Sequence, residues 1–91
     1  MKKVSKKELF DVMLRNVIED DGIESVEFGV QYMEGSRNLY IWLDYREFDE
    51  NIFDSRFFYM ITKYSEIVDD QCDDISCGGD YRMFQVVVKP N

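Results

Sequence analysis

The residues with the most chemical potential lie between Glu66 and Asp80. Glu66, Asp69, Asp70 and Asp73 recur at spacings of three and four, with Asp74 beside them and Cys72 and Cys77 among them. Hard oxygen ligands in such numbers suit calcium, but an EF-hand loop begun at Asp69 needs glycine at its sixth position and finds Asp74 there. The Cys72/Cys77 spacing is not a common zinc spacing, and no second ligand pair accompanies it. No metal site is expected. In a chain read as cytoplasmic, both cysteines are expected to be reduced.

Catalysis fares no better. The chain has no histidine, which removes the commonest general base and the Ser-His and Cys-His nucleophile arrangements. No glycine-rich phosphate-binding pattern occurs, so no cofactor is expected. Nineteen Asp and Glu make chance carboxylate pairs abundant, so a pair by itself does not indicate an enzyme. The expectation is a binding protein.

Charge is the outlying quantity. The 91 residues carry 11 Lys and Arg against 19 Asp and Glu, a net −8, and Lys2, Lys3, Lys6 and Lys7 crowd the start. A body of that sign repels nucleic acid and anionic membrane and attracts basic protein surfaces. No apolar run reaches the roughly 18 residues of a membrane span, and the lysine-rich start lacks a signal peptide's apolar stretch. The length and 45% apolar content suit one domain, residues 1–91.

The elements that must position these acids follow from periodicity. Ser5 to Glu8 fits a capping box with Val4 and Leu9 as its staple, and Leu9, Phe10, Met13, Leu14, Val17 and Ile18 form the stripe of helix 1. Asp11 and Arg15 are spaced for an i,i+4 pair, and Gly22 ends the helix. Val26, Phe28, Val30 and Tyr32 then alternate with polar or small residues, and Leu39, Ile41, Leu43 and Tyr45 do so after Glu34–Arg37, which predicts a hairpin. The second strand's outward residues, Tyr40, Trp42 and Asp44, are too apolar a set for bulk water. A partner, most simply another copy of the chain, is expected to cover them.

Asp54 or Ser55 is placed to cap helix 2, whose stripe Phe57, Ile61, Tyr64, Val68, Cys72 and Ile75 predicts a helix to about Ser76, stopped by Gly78 and Gly79. The last strand, Tyr81 to Lys89, has Phe84, Val86 and Val88 on one face and Tyr81, Met83, Gln85 and Val87 on the other, and Pro90 ends it. The order α-β-β-α-β predicts an α+β fold. Its three-stranded, mainly antiparallel sheet is expected in the order 2-1-3, with two helices on one face.

On that frame the acids of helix 2 form an outward row, one turn or about 5 to 6 Å apart, near the spacing of phosphates along a DNA strand. Acids also crowd the ends of both helices, and Lys6 and Lys7 the start of helix 1, the reverse of what the helix dipole favours. The expected partner contacts are Glu66, Asp69, Asp70, Asp73 and Asp74, flanked by Asp20, Asp21, Asp49 and Glu50. Tyr40, Trp42, Tyr81 and Met83 are expected at a dimer contact.

In length, charge, lack of histidine and the acid clusters around Glu19–Asp21, Asp44–Asp54 and Glu66–Asp80, the chain resembles the small acidic DNA-mimic proteins of bacteriophages. Among them it is most similar to the Arn-type anti-restriction proteins of T-even phages. The resemblance implies a homodimer that offers carboxylates in place of DNA phosphates. It would occupy the DNA-binding site of a host protein such as a restriction endonuclease or nucleoid protein, in the host cytoplasm, without binding nucleic acid itself. The rival expectation is an adaptor or toxin-neutralising module that binds through the aromatic sheet face and uses its acids for solubility.

Overall fold

The computed structural model describes residues 4–46, 48, 50–69, 73–76 and 81–91. The order of elements is α1 (Lys6–Asp20), β1 (Ser25–Tyr32), β2 (Leu39–Arg46), a single 3₁₀ turn (Ile52–Asp54), α2 (Arg56–Tyr64), β3 (Ser65–Ile67), β4 (Asp73–Ser76) and β5 (Tyr81–Pro90). The α+β class holds. No helix among the described residues is long and apolar enough to cross a membrane.

Helix α1 forms as its sequence dictates. The Ser5 side chain accepts from the Glu8 amide at 3.2 Å, and Arg15 donates to Asp11 one turn away at 2.6 Å. At the C-terminal end Gly22 takes φ +68°, a conformation in which glycine carries no Cβ penalty. The Ile23 amide then reaches the Ile18 carbonyl and the Gly22 amide the Glu19 carbonyl. This is a Schellman closure with Ile23 and Ile18 both buried. Phe10, Leu14, Val17 and Ile18 enter the core, whereas Leu9 stays exposed.

Helix α2 departs from expectation. Ser55 caps it by accepting from the Phe58 amide, and Phe57 and Ile61 are completely buried, but the helix stops at Tyr64 rather than near Ser76. Ser65 is extended at φ −155°, ψ 166°, and its hydroxyl donates to the Ile61 carbonyl. The Asn91 amide donates to the Tyr64 carbonyl at 3.1 Å, and its side chain to the Lys63 carbonyl. Carbonyls that a longer helix would have bonded internally are thus taken by Asn91, just after β5. The helical spacing of Tyr64, Val68 and Ile75 is coincidental: they are 42%, 50% and 48% exposed. Cys72 lies outside the described residues.

The segment after α2 is an edge of the sheet. β3 and β4 both run antiparallel to β5 along one of its sides, Ile67 opposite Val88 and Asp73 opposite Gln85. The other side of β5 pairs antiparallel with β2, and β2 with β1. The sheet therefore has five strands in the order β1-β2-β5-β3, with β4 also on β5, and the expected order, with the last strand beside the first, is corrected. β3 and β4 run the same way, and β5 lies antiparallel to both and to β2. There Phe84, Val86 and Val88 meet Leu43, Ile41 and Leu39 in register, six completely or almost completely buried side chains. On its other edge β2 sets Leu43 and Ile41 opposite Phe28 and Val30 of β1.

Both helices pack on this one face, in a single core with Phe57 and Phe84 at its centre. The Phe84 ring meets Phe53, Phe57 and Phe58 edge-on at 5.9, 5.5 and 6.0 Å between centroids. Among the described residues, the opposite sheet face carries no helix. On it Trp42 lies flat across Gly29, so close that a Cβ there would overlap the indole ring. Gly29→Ala should therefore expel the single tryptophan from its seat. Trp42 emission should shift to the red while far-ultraviolet dichroism is kept. In contrast, Phe57→Ala should cost about 3 to 5 kcal/mol in urea unfolding.

Candidate functional site

Strand register and loop contacts gather acids at one end of the molecule. The Arg46 amide donates to the Glu24 carbonyl, which joins the start of β1 to the end of β2. Arg46 in turn lies opposite Tyr81 at the start of β5, and Ser76 of β4 opposite Arg82. The end of α1 reaches the same place, since Asp21 accepts from the Arg56 amide at 3.1 Å. Glu19, Asp20, Glu24, Glu50 and Asp54 therefore project around one pole, all exposed and without ion pairs among the described residues.

Within this pole some acids serve the fold. Asp21 sits at the first amides of α2 and 3.9 Å from the Arg56 guanidinium, so it complements that helix's dipole. Asp74, its side chain only 9% exposed, pairs with Arg82 at 3.2 Å and accepts from the Tyr45 hydroxyl at 2.9 and 3.0 Å. Asp74 thus faces inward and offers no free charge. Tyr45, Asp74 and Arg82 line a cavity of about 300 Å³ together with Phe48, Glu50 and Asn51.

The expected helical row of carboxylates does not exist. Glu66 is on β3 and Asp73 on β4, while Asp69 follows β3 and is exposed. Asp70 and Asp49 lie outside the described residues, as does Cys77. α2 ends with Lys63 in its last turn, the sign its dipole favours, so the reversed-charge argument survives only at α1. Among the described residues, no group of three His, Cys, Asp or Glu is placed to hold a metal ion.

The uncovered sheet face is the second surface. Register sets Gln31, Tyr40 and Val87 in one row, Gly29, Trp42 and Gln85 in the next, and Glu27, Asp44, Met83 and Ile75 in the third, with Arg46 and Tyr81 beyond. Tyr40, Trp42, Tyr81 and Met83 are therefore on one face, as the alternation predicts. Tyr40 stacks on Trp42 at 5.5 Å and donates to Gln85 at 2.8 Å. Its phenol is pushed above its ordinary pKa by burial, and further by the Asp44 charge. Asp44 stands directly opposite Glu27, a like-charge pair that weakens a sheet. Its Oδ1 is buried with no hydrogen-bond partner, a costly state for a carboxylate. Alternation alone places Asp44 outward; its orphaned oxygen has no sequence signal.

Comparison with protein-family models, with curated proteins and with solved structures gives no match.

Tyr45 supplies a pH test of the acidic pole. Burial first, then the bond to Asp74 and its charge, hold the phenol protonated in the fold well above an ordinary tyrosine, with Arg82 opposing. A group raised in this way gives its full stability below its unfolded value near 10 and loses it as pH rises beyond that. The urea midpoint of the wild type should fall above about pH 10. Tyr45→Phe, less stable by about 1 to 3 kcal/mol at pH 7, should fall less steeply.

Proposed function

We propose that the chain is a cytoplasmic inhibitor, not an enzyme, that offers its acidic pole to the DNA-binding surface of another protein and competes there with DNA phosphates. The observation that carries this reading is an excess of acids at one pole. Exposed carboxylates of α1, the α1–β1 turn and the β2–α2 connection converge there and outnumber Arg46, Arg56 and Arg82, whereas Lys6, Arg37 and Lys89 line the opposite pole. A polarised charge distribution both attracts a basic surface and orients the approach. The carboxylates are presented by loops and helix ends rather than by a helical row, and the phosphate surrogates are Glu19, Asp20, Glu24, Glu50 and Asp54. The target in this reading is a host restriction endonuclease or nucleoid protein.

A second reading has its own observation. The open face with stacked Tyr40 and Trp42 and the orphaned Asp44 oxygen is a protein contact, either with a second copy of the chain or with an adaptor-type partner whose donor reaches Asp44. Covering that face removes apolar surface from water at about 25 cal/mol per Å² and satisfies the carboxylate.

One experiment separates the two. The wild type, a variant with Glu19→Gln, Asp20→Asn, Glu24→Gln, Glu50→Gln and Asp54→Asn, and Trp42→Ala are each used to capture proteins from bacterial lysate at low salt. The inhibitor reading expects DNA-binding proteins on the wild type and on Trp42→Ala, displaced by added duplex DNA and absent from the five-site variant. Affinity should drop about tenfold or more as ionic strength rises from 0.01 to 0.15 M and the screening length falls from about 30 to about 8 Å. Capture abolished by Trp42→Ala but kept by the five-site variant would favour the sheet face instead.

A further inference from the structure

The pole opposite the acids holds a cavity of about 560 Å³ between the start of α1, the β1–β2 hairpin and the end of β5. Three cations line it, Lys6, Arg37 and Lys89, and in a chain with 19 acids none of the described lining residues is acidic. Lys6 donates to the Asn91 carbonyl, which leaves two of its three ammonium protons for another acceptor. Arg37 and Lys89 make no ion pair among the described residues, although Glu66 stands across the strand pair from Lys89. The Ser36 hydroxyl and the Asn38 side chain add neutral donors, while the ring of Tyr32, 45% exposed, and Pro90 form an apolar wall.

From this juxtaposition we infer that the cavity binds a mononucleotide, its phosphates on Arg37, Lys89 and Lys6 and its base against Tyr32. A guanidinium presents a planar fork matched to phosphate oxygens, and ammonium groups serve them as point charges. Converging cations without ion pairs among the described residues raise the local potential against the chain's own net negative field, which favours a multiply charged anion there. An inorganic phosphate leaves most of the volume unfilled. A purine or pyrimidine ring fills it, and base stacking on an aromatic side chain is favourable for every base. This inference is independent of the acidic pole and of its proposed target, since neither surface shares a residue with the other.

Calorimetric titration of the full chain at physiological ionic strength with ATP, tripolyphosphate and adenosine, without divalent metal, tests it. ATP should bind one to one, tripolyphosphate more weakly, and adenosine not measurably. Arg37→Gln and Lys89→Gln, both at exposed positions, should each weaken ATP about tenfold or more with an unchanged melting temperature. Tyr32→Ala should reduce ATP to the affinity of tripolyphosphate. The inference is overturned if millimolar ATP gives no heat, if Arg37→Gln and Lys89→Gln bind as the wild type does, or if tripolyphosphate equals ATP on the wild type. A single-stranded oligonucleotide that binds more tightly than ATP would also overturn the assignment to a mononucleotide.

Discussion

β5 is hydrogen-bonded along both of its edges, and the rest of the structure follows from that. One edge takes β2 in full register from Leu39–Val88 to Arg46–Tyr81; the other takes β3 and then β4. Its inward side chains Phe84, Val86 and Val88 are closed on one side by β2's apolar row and from above by Phe57 and Ile61 of α2. A strand in that position cannot leave its second edge bare inside the core, because unpaired backbone groups away from water cost about as much as lost hydrogen bonds. Residues 65–67 and 73–76 fill the edge, and α2 is short because the chain is needed there.

The same arrangement sorts the charges. With β4 against the start of β5, Asp74 comes beneath Tyr45 and Arg82 and is absorbed by them. With the end of β5 against β3, Asn91 reaches the last carbonyls of α2 and brings Lys89 beside Lys6 and Arg37. Acids at the turn after α1 and in the connection after β2 are left free at the opposite pole. Neither cluster is local in sequence, and each is assembled by strand pairing. The helices cover only one sheet face, so the Tyr40 and Trp42 stack stays uncovered with the unsatisfied Asp44 oxygen beside it.

Much of this was legible locally. The Ser5 cap, the Asp11–Arg15 pair, the Gly22 stop, the hairpin and the inward residues of β2 and β5 are each set by neighbours within a few positions, and those expectations match the structure. The helix-period signal failed at Tyr64, because Val68, Cys72 and Ile75 continue the spacing of the stripe begun by Phe57 and Ile61 although residues 65–67 form a strand. Tertiary bonds from Asn91 decide the matter, and nothing near residue 64 announces them. Strand order was equally hidden, since both β1 and β2 offer apolar faces to a third strand. The cavity cations, at positions 6, 37 and 89, are too far apart in the chain to be grouped by any local pattern.

The central claim is that Glu19, Asp20, Glu24, Glu50 and Asp54 gather at one pole of one small α+β fold and Lys6, Arg37 and Lys89 at the other. It is tested most directly by following the amide resonances of the ¹⁵N-labelled chain while an arginine-rich peptide is added. The account predicts shifts concentrated at residues 19–24 and 50–54, with residues 32–38 and the end of β5 unmoved. Perturbations spread evenly over the surface, or centred on the β1–β2 hairpin, would contradict it.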